Sequence, residues 1–94
     1  MEPIAHLRRA KEAVQAEGAA RGRLLTAGQE FWEALFDLGT WPPELQEVAD
    51  QITGALLSHG TIQTTVDSMD EATVQKTLRR LTDFCDKAES ILRG

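Results

Sequence analysis

Apolar residues recur at helical spacing along the first 38 positions, in two neighbouring stripes. Ile4, Leu7, Val14, Leu25, Trp32 and Leu35 share one heptad phase, with Lys11, Gly18, Arg21 and Gly28 in its other places. Beside it run Ala10, Ala13, Ala20, Leu24, Ala27, Phe31, Ala34 and Leu38. The pattern predicts a helix over about residues 3–38, opened by Pro3 in the first turn, where a missing amide is tolerated. Its weak stretch holds Gly18 and Gly22, each costing about 1 kcal/mol against alanine inside a helix. Because the apolar phase is the same on both sides, one continuous helix is the preferred reading. A break between Gly18 and Gly22, giving four helices, is the alternative.

Gly39, Pro42 and Pro43 mark the clearest boundary. The glycine suits a left-handed helix end, and two prolines halt one helix and fit the first turn of the next. A second helix follows with Leu45, Val48, Ala49, Ile52, Ala55 and Leu56 on its apolar face, and ends near His59 and Gly60. Residues 61–66 are rich in β-branched side chains, but a lone strand would have no partner here, so they read as a helical extension or connector. Ser68-Met69-Asp70-Glu71 matches the capping box that opens a helix. In the third helix Val74, Leu78, Leu81, Cys85, Ala88 and Leu92 form the cleanest stripe. Three i,i+4 pairs, Arg79–Asp83, Asp83–Lys87 and Glu89–Arg93, flank it. The expectation is all-α: one antiparallel three-helix bundle over residues 1–94, with the first helix much the longest.

That length carries a consequence. At 1.5 Å per residue a helix of about 36 residues is roughly 54 Å long, against roughly 26 Å for a second helix of about 17. Ile4, Leu7 and Val14 would then project past their neighbours as a bare apolar stripe. A homodimer sealed through these three residues is the simplest way to cover it.

Composition narrows the function classes. Apolar residues are 41% and charged residues 27% of the 94, which is ordinary for a packed domain. A net charge of −5 speaks against nucleic acid as partner. One cysteine, no signal-like N-terminus and no run of about eighteen apolar residues lead to the expectation of a cytoplasmic protein with no membrane span. His6 and His59 stand apart from any ligand pattern, there is no E-x-x-H pair and no Cys/His cluster, so no metal or cofactor is expected. Ser58, His59 and Asp67 lack the glycine-rich turn that a catalytic triad uses. Cys85, on the core stripe, reads as a packing residue.

One long helix and two shorter ones in about ninety residues resemble the helical chorismate mutases in outline. That likeness implies a dimeric enzyme with cations converging between subunits, and Arg8, Arg9, Lys11, Arg21 and Arg23 are the residues available. They do not align to that family's pattern. Trp41 near the central turn is similar in place to the tryptophan of the small secreted WXG proteins, but Pro42 and Pro43 follow it where that turn needs W-x-G.

The charge pattern is the strongest functional signal. Lys and Arg are absent from residues 24–75, whereas Glu30, Glu33, Asp37, Glu44, Glu47, Asp50, Asp67, Asp70 and Glu71 all fall there. Phe31, Trp32, Phe36 and Trp41 lie in the same block. Either all four aromatics are core and the acids a solvated face, or the corner is an acidic-rimmed apolar patch. The second reading predicts a non-catalytic interaction or assembly module. Trp41, Phe36, Glu33, Asp37, Glu44 and Glu47 would meet a basic protein segment, while Ile4, Leu7 and Val14 hold the homodimer.

Overall fold

The computed structural model describes the backbone of residues 3–38 and 41–93 and the side chains of residues 4–36 and 41–92; the helix end expected at Gly39 lies outside the described residues, as do the side chains of Asp37, Leu38 and Arg93 named above. The described residues are helical, with no strand: α1 (Pro3–Gln15), α2 (Ala20–Leu38), α3 (Pro43–Leu57), α4 (Ile62–Ser68) and α5 (Glu71–Arg93).

The all-α class holds, but the long first helix does not. The chain breaks after Gln15, and Gly18 takes a φ of +120°, which an L side chain rarely adopts. Continuity of the apolar phase could not distinguish the two cases, because a hairpin also needs an apolar stripe on each arm. What decides is the width of the apolar face. Leu7, Ala10 and Val14 of α1 are buried, as are Leu24, Ala27, Phe31 and Ala34 of α2. The alanines let the two backbones lie close, and folding back buries both stripes at once. The longest dimension of the fold is 36 Å, about the length of the 23-residue α5 and well short of a 54 Å rod.

Polar contacts fix the direction of each helix. His6 Nδ1 lies 2.7 Å from Glu30 Oε2, and Arg23 Nη1 donates to the Val14 carbonyl at 2.8 Å, so α1 and α2 are antiparallel. Arg8 Nε donates to Glu89 Oε1 at 3.0 Å and Lys11 bonds Asp86, so α1 is antiparallel to α5 as well. Phe31 stacks on Trp41 and Gly28 faces Leu56, which runs α3 back along α2. Four long helices therefore alternate in direction, with short α4 linking α3 to α5. At Gly28 a Cβ would meet Ile62 Cγ2 at 3.3 Å, so the glycine lets α4 seat closely on α2.

The core's centre is aromatic. The Phe31 and Trp41 rings stack with centroids 5.7 Å apart, and Phe84 meets them edge-on at 5.4 Å and 5.0 Å. Trp41, from the segment before α3, thereby joins α2, α3 and α5. Burying a Phe or Leu side chain contributes roughly 1.5–3 kcal/mol, and Phe31, Leu24, Leu45, Ile52, Leu56 and Leu81 are all essentially inaccessible.

The expected capping box is corrected too. Ser68 ends α4, its hydroxyl donating to the Thr64 carbonyl at 2.9 Å. Asp70 caps α5 instead, accepting the Thr73 amide on Oδ1 at 2.7 Å. Its charge is worth more at a helix N-terminus than a hydroxyl. Residues 62–66 are helical, and Thr61 caps them, with Oγ1 accepting the Thr64 amide at 3.0 Å.

Candidate interaction site

The predicted contact residues separate into three groups. Trp41 is only 4% exposed and belongs to the core, so it cannot be the centre of a surface patch. Its indole N–H is buried and meets no acceptor among the described residues, a cost of roughly 1–3 kcal/mol that the aromatic stack must outweigh. Leu7 and Val14 are likewise buried within their own chain and Ile4 is half-buried, which removes the bare stripe on which the expected homodimer rested. Phe36 is the reverse: at 67% exposure it is the large apolar side chain that stands out among the described residues.

Phe36 does not stand alone. Trp32, one turn earlier on α2 and half-buried, meets it edge-on with centroids 5.3 Å apart. The sequence pattern placed Trp32 on a helix stripe and missed it as a surface residue. Leu24, Ala27, Phe31 and Ala34 take the core-facing side of α2, and that arrangement turns Trp32 and Phe36 onto its flank. Glu33, between them in sequence, is exposed and has no ion pair among the described residues, and the same holds for Glu44 and Glu47 at the start of α3. The Phe31–Trp41 stack brings those α3 acids back to the same end of the bundle. Glu30 is different, since His6 engages it.

A second surface was not anticipated. Arg80, Asp83, Phe84 and Lys87 are spaced i, i+3, i+4, i+7 and so share one side of α5. With Val48, Gln51 and Ile52 of α3 they line a groove of about 240 Å³. Buried Ile52 and Phe84 and half-buried Val48 form its floor, and the exposed charged groups form its rim. The sequence signal was the 3-4 spacing of Arg80, Asp83 and Lys87 about Phe84, where Asp83 and Lys87 were read instead as part of an outer face of ion pairs. Neither Arg79–Asp83 nor Asp83–Lys87 closes: Arg80, Asp83 and Lys87 have no ion pair among the described residues, whereas α5 acids Asp86 and Glu89 pair with Lys11 and Arg8 of α1.

The cations of an enzyme-like pocket do not converge. Arg8 and Lys11 reach from α1 to Glu89 and Asp86 of α5, and Arg21 donates to the Val66 carbonyl at 2.6 Å with Glu71 at 3.7 Å. Arg23 closes the end of α1 beside a recess of about 220 Å³ at the elbow, lined chiefly by small residues with Glu17 and Arg23. Burial pushes the Cys85 thiol up to about 12, so it stays protonated at neutral pH. Among the described residues no three His, Cys, Asp or Glu side chains gather as a metal site needs, and no described helix is long and apolar enough to cross a membrane. No family model matches this chain, and no curated protein or solved structure is detectably similar to it.

Proposed function

We propose that this chain is a non-catalytic interaction module whose docking surface is the Trp32–Phe36 pair with its acidic surround. The observation that carries the reading is Phe36, two-thirds exposed yet held edge-on by Trp32 in a stretch without any lysine or arginine. Aromatic anchors ringed by charge are the composition of interaction surfaces, and negative charge around them selects a cationic partner. The partner offers an apolar side chain to the ring pair and lysines or arginines to Glu33, Glu44 and Glu47. Against the enzyme alternative, Arg8, Lys11, Arg21 and Arg23 are each engaged in holding helices together.

The test is a titration of the 15N-labelled protein with a synthetic lysine–leucine amphipathic helix, beside a glutamate–leucine counterpart. Chemical-shift changes centred on the Trp32 indole and Phe36, seen with the basic peptide alone and reduced at high salt, are the expected result. Equal binding by the acidic peptide, or shifts that persist unchanged in Phe36→Glu, would overturn the reading.

A further inference from the structure

We infer that this chain has a second, dimeric form, in which the α1–α2 elbow straightens and α1 takes its seat on α2 and α5 of a second copy. The inference concerns the hairpin and is independent of the Trp32–Phe36 surface.

The contacts that hold α1 are all made to other helices. It packs on α2 and α5, burying Leu7, Ala10 and Val14. His6 meets Glu30, Arg8 meets Glu89 and Lys11 meets Asp86. The tie to its own chain is the elbow, residues 16–19. An α1 supplied by a second copy makes the same contacts, so the two forms differ chiefly at the elbow and in the entropy of joining two chains.

The elbow fits both forms. In the hairpin Gly18 takes a φ of +120°, and Arg23 covers the Val14 carbonyl. Straightened, residues 16–19 continue the helix, and that carbonyl accepts the Gly18 amide four residues on. A hairpin needs an apolar stripe on each arm, but it does not need one heptad register across the break. This chain has that register. Leu7, Val14 and Gly28 share one heptad position, Ala10, Leu24 and Phe31 share another, and all six are buried.

The pairing of the two arms points the same way. Gly18 lies midway along the chain between His6 and Glu30, and within one residue of midway between Val14 and Arg23. Two straight copies laid antiparallel in this register cross at Gly18 about a two-fold axis, each α1 lying along the other copy's α2. Ala16, Ala19, Ala20 and Gly22 flank the crossing, and their small side chains let the two backbones approach. The contact is isologous and closes at two copies.

A short linker holds α1 at an effective concentration on the order of 1 mM, so the hairpin prevails in dilute solution and the dimer forms as the chain nears that concentration. The test is to refold the whole chain from urea at concentrations from the low micromolar range to about 1 mM and to sediment the products. The wild type should be monomeric at the low end and dimeric at the high end, with no larger species. Gly18→Ala, strained in the hairpin and favoured in a straight helix, should dimerise at a concentration lower by about tenfold. Ala20→Pro should stay monomeric, because proline is tolerated at the first position of α2 and not inside a continuous helix. If Ala20→Pro fails to fold by circular dichroism, two glycines inserted after Gly18 serve in its place, since a longer hinge disfavours exchange.

A paired charge reversal separates exchange from contact between outer surfaces. In Arg8→Glu with Lys11→Glu, α1 opposes its own α5, and in Asp86→Lys with Glu89→Lys, α5 opposes its own α1. Each variant alone should melt a few degrees below wild type. Refolded together they should form a one-to-one heterodimer that melts near wild type, because each α1 then meets the α5 that suits it. Adding Ala20→Pro to both should abolish that recovery. A wild type that stays monomeric after refolding at about 1 mM overturns the inference. So does a dimer that persists in Ala20→Pro, or a mixture of the two charge variants that melts no higher than its components.

Discussion

Arg23 Nη1 donates to the carbonyl oxygen of Val14 at 2.8 Å, so the second helix closes the open end of the first. The last carbonyls of a helix have no partner within it, and a guanidinium there satisfies one and favours the negative end of the dipole. The elbow between them turns on Gly18.

Substitution at Gly18 tests the elbow by its sign. In a continuous helix, Gly18→Ala would stabilise by about 1 kcal/mol. At the observed φ of +120° it should destabilise, by about 1–3 kcal/mol, as read from urea denaturation midpoints. Gly22→Ala supplies the control: it lies within α2 with nothing near its would-be Cβ, and should stabilise by about 0.5–1 kcal/mol. A stabilising Gly18→Ala would restore the single long helix.

The start of α5 yields a paired comparison. Asp70→Ala should lower the melting temperature by a few degrees and Ser68→Ala should hardly move it, because only Asp70 caps the helix. The bonds from Thr73 hold the Asp70 carboxyl below its ordinary value. A lowered native pKa means that its stabilisation is complete above the ordinary carboxylate range and is lost as pH falls through the native value. The gap in stability between wild type and Asp70→Ala should therefore close on acidification. A gap that stays constant down to the acid transition would refute the cap.

Phe84 bridges the core and the groove, which makes it the most sensitive aromatic position. Phe84→Ala removes its contacts to Phe31 and Trp41 and should cost about 3–5 kcal/mol by calorimetry or denaturant melts. A loss under 1 kcal/mol would mean that the ring cluster is not the centre of the fold.

Cys85 should respond to thiol reagents only at the rate of unfolding. Its pKa is raised from 9.0 to about 12 by burial, so the unfolded chain releases this proton first as pH rises. The Cys85 contribution should thus be constant below about pH 9 and make stability decline from there toward pH 12, with a shallower slope in Cys85→Ala. Prompt labelling of the native protein would place the thiol outside the core.

Much of the fold is legible in the chain. The α5 stripe from Val74 to Ala88 is buried as its spacing implies, and the Pro42–Pro43 boundary separates α2 from α3. What escaped depended on the third dimension. Gly18 reads the same in a rod or a hairpin until another helix competes for the apolar face. Ser68 and Asp70 are both good cap residues two positions apart, and the choice between them appears only once α4 is seen to run through Ser68. The surface patch was half-legible. Its acidity and Phe36 followed from the sequence, but which tryptophan joins the core depended on the side of α2 that meets α5, and that side carries Phe31.

The opposite fates of the two tryptophans give the chain a built-in pair of optical probes. Trp41 lies in a dry aromatic stack and Trp32 on the outer flank, and there is no tyrosine to add its own emission. In Trp32→Phe the remaining indole should emit toward the blue and shift red only as the bundle melts. In Trp41→Phe, which keeps a ring in the stack and removes a buried N–H, the remaining indole should respond to whatever settles on the flank. Folding and docking then become separable colours of light from one small protein.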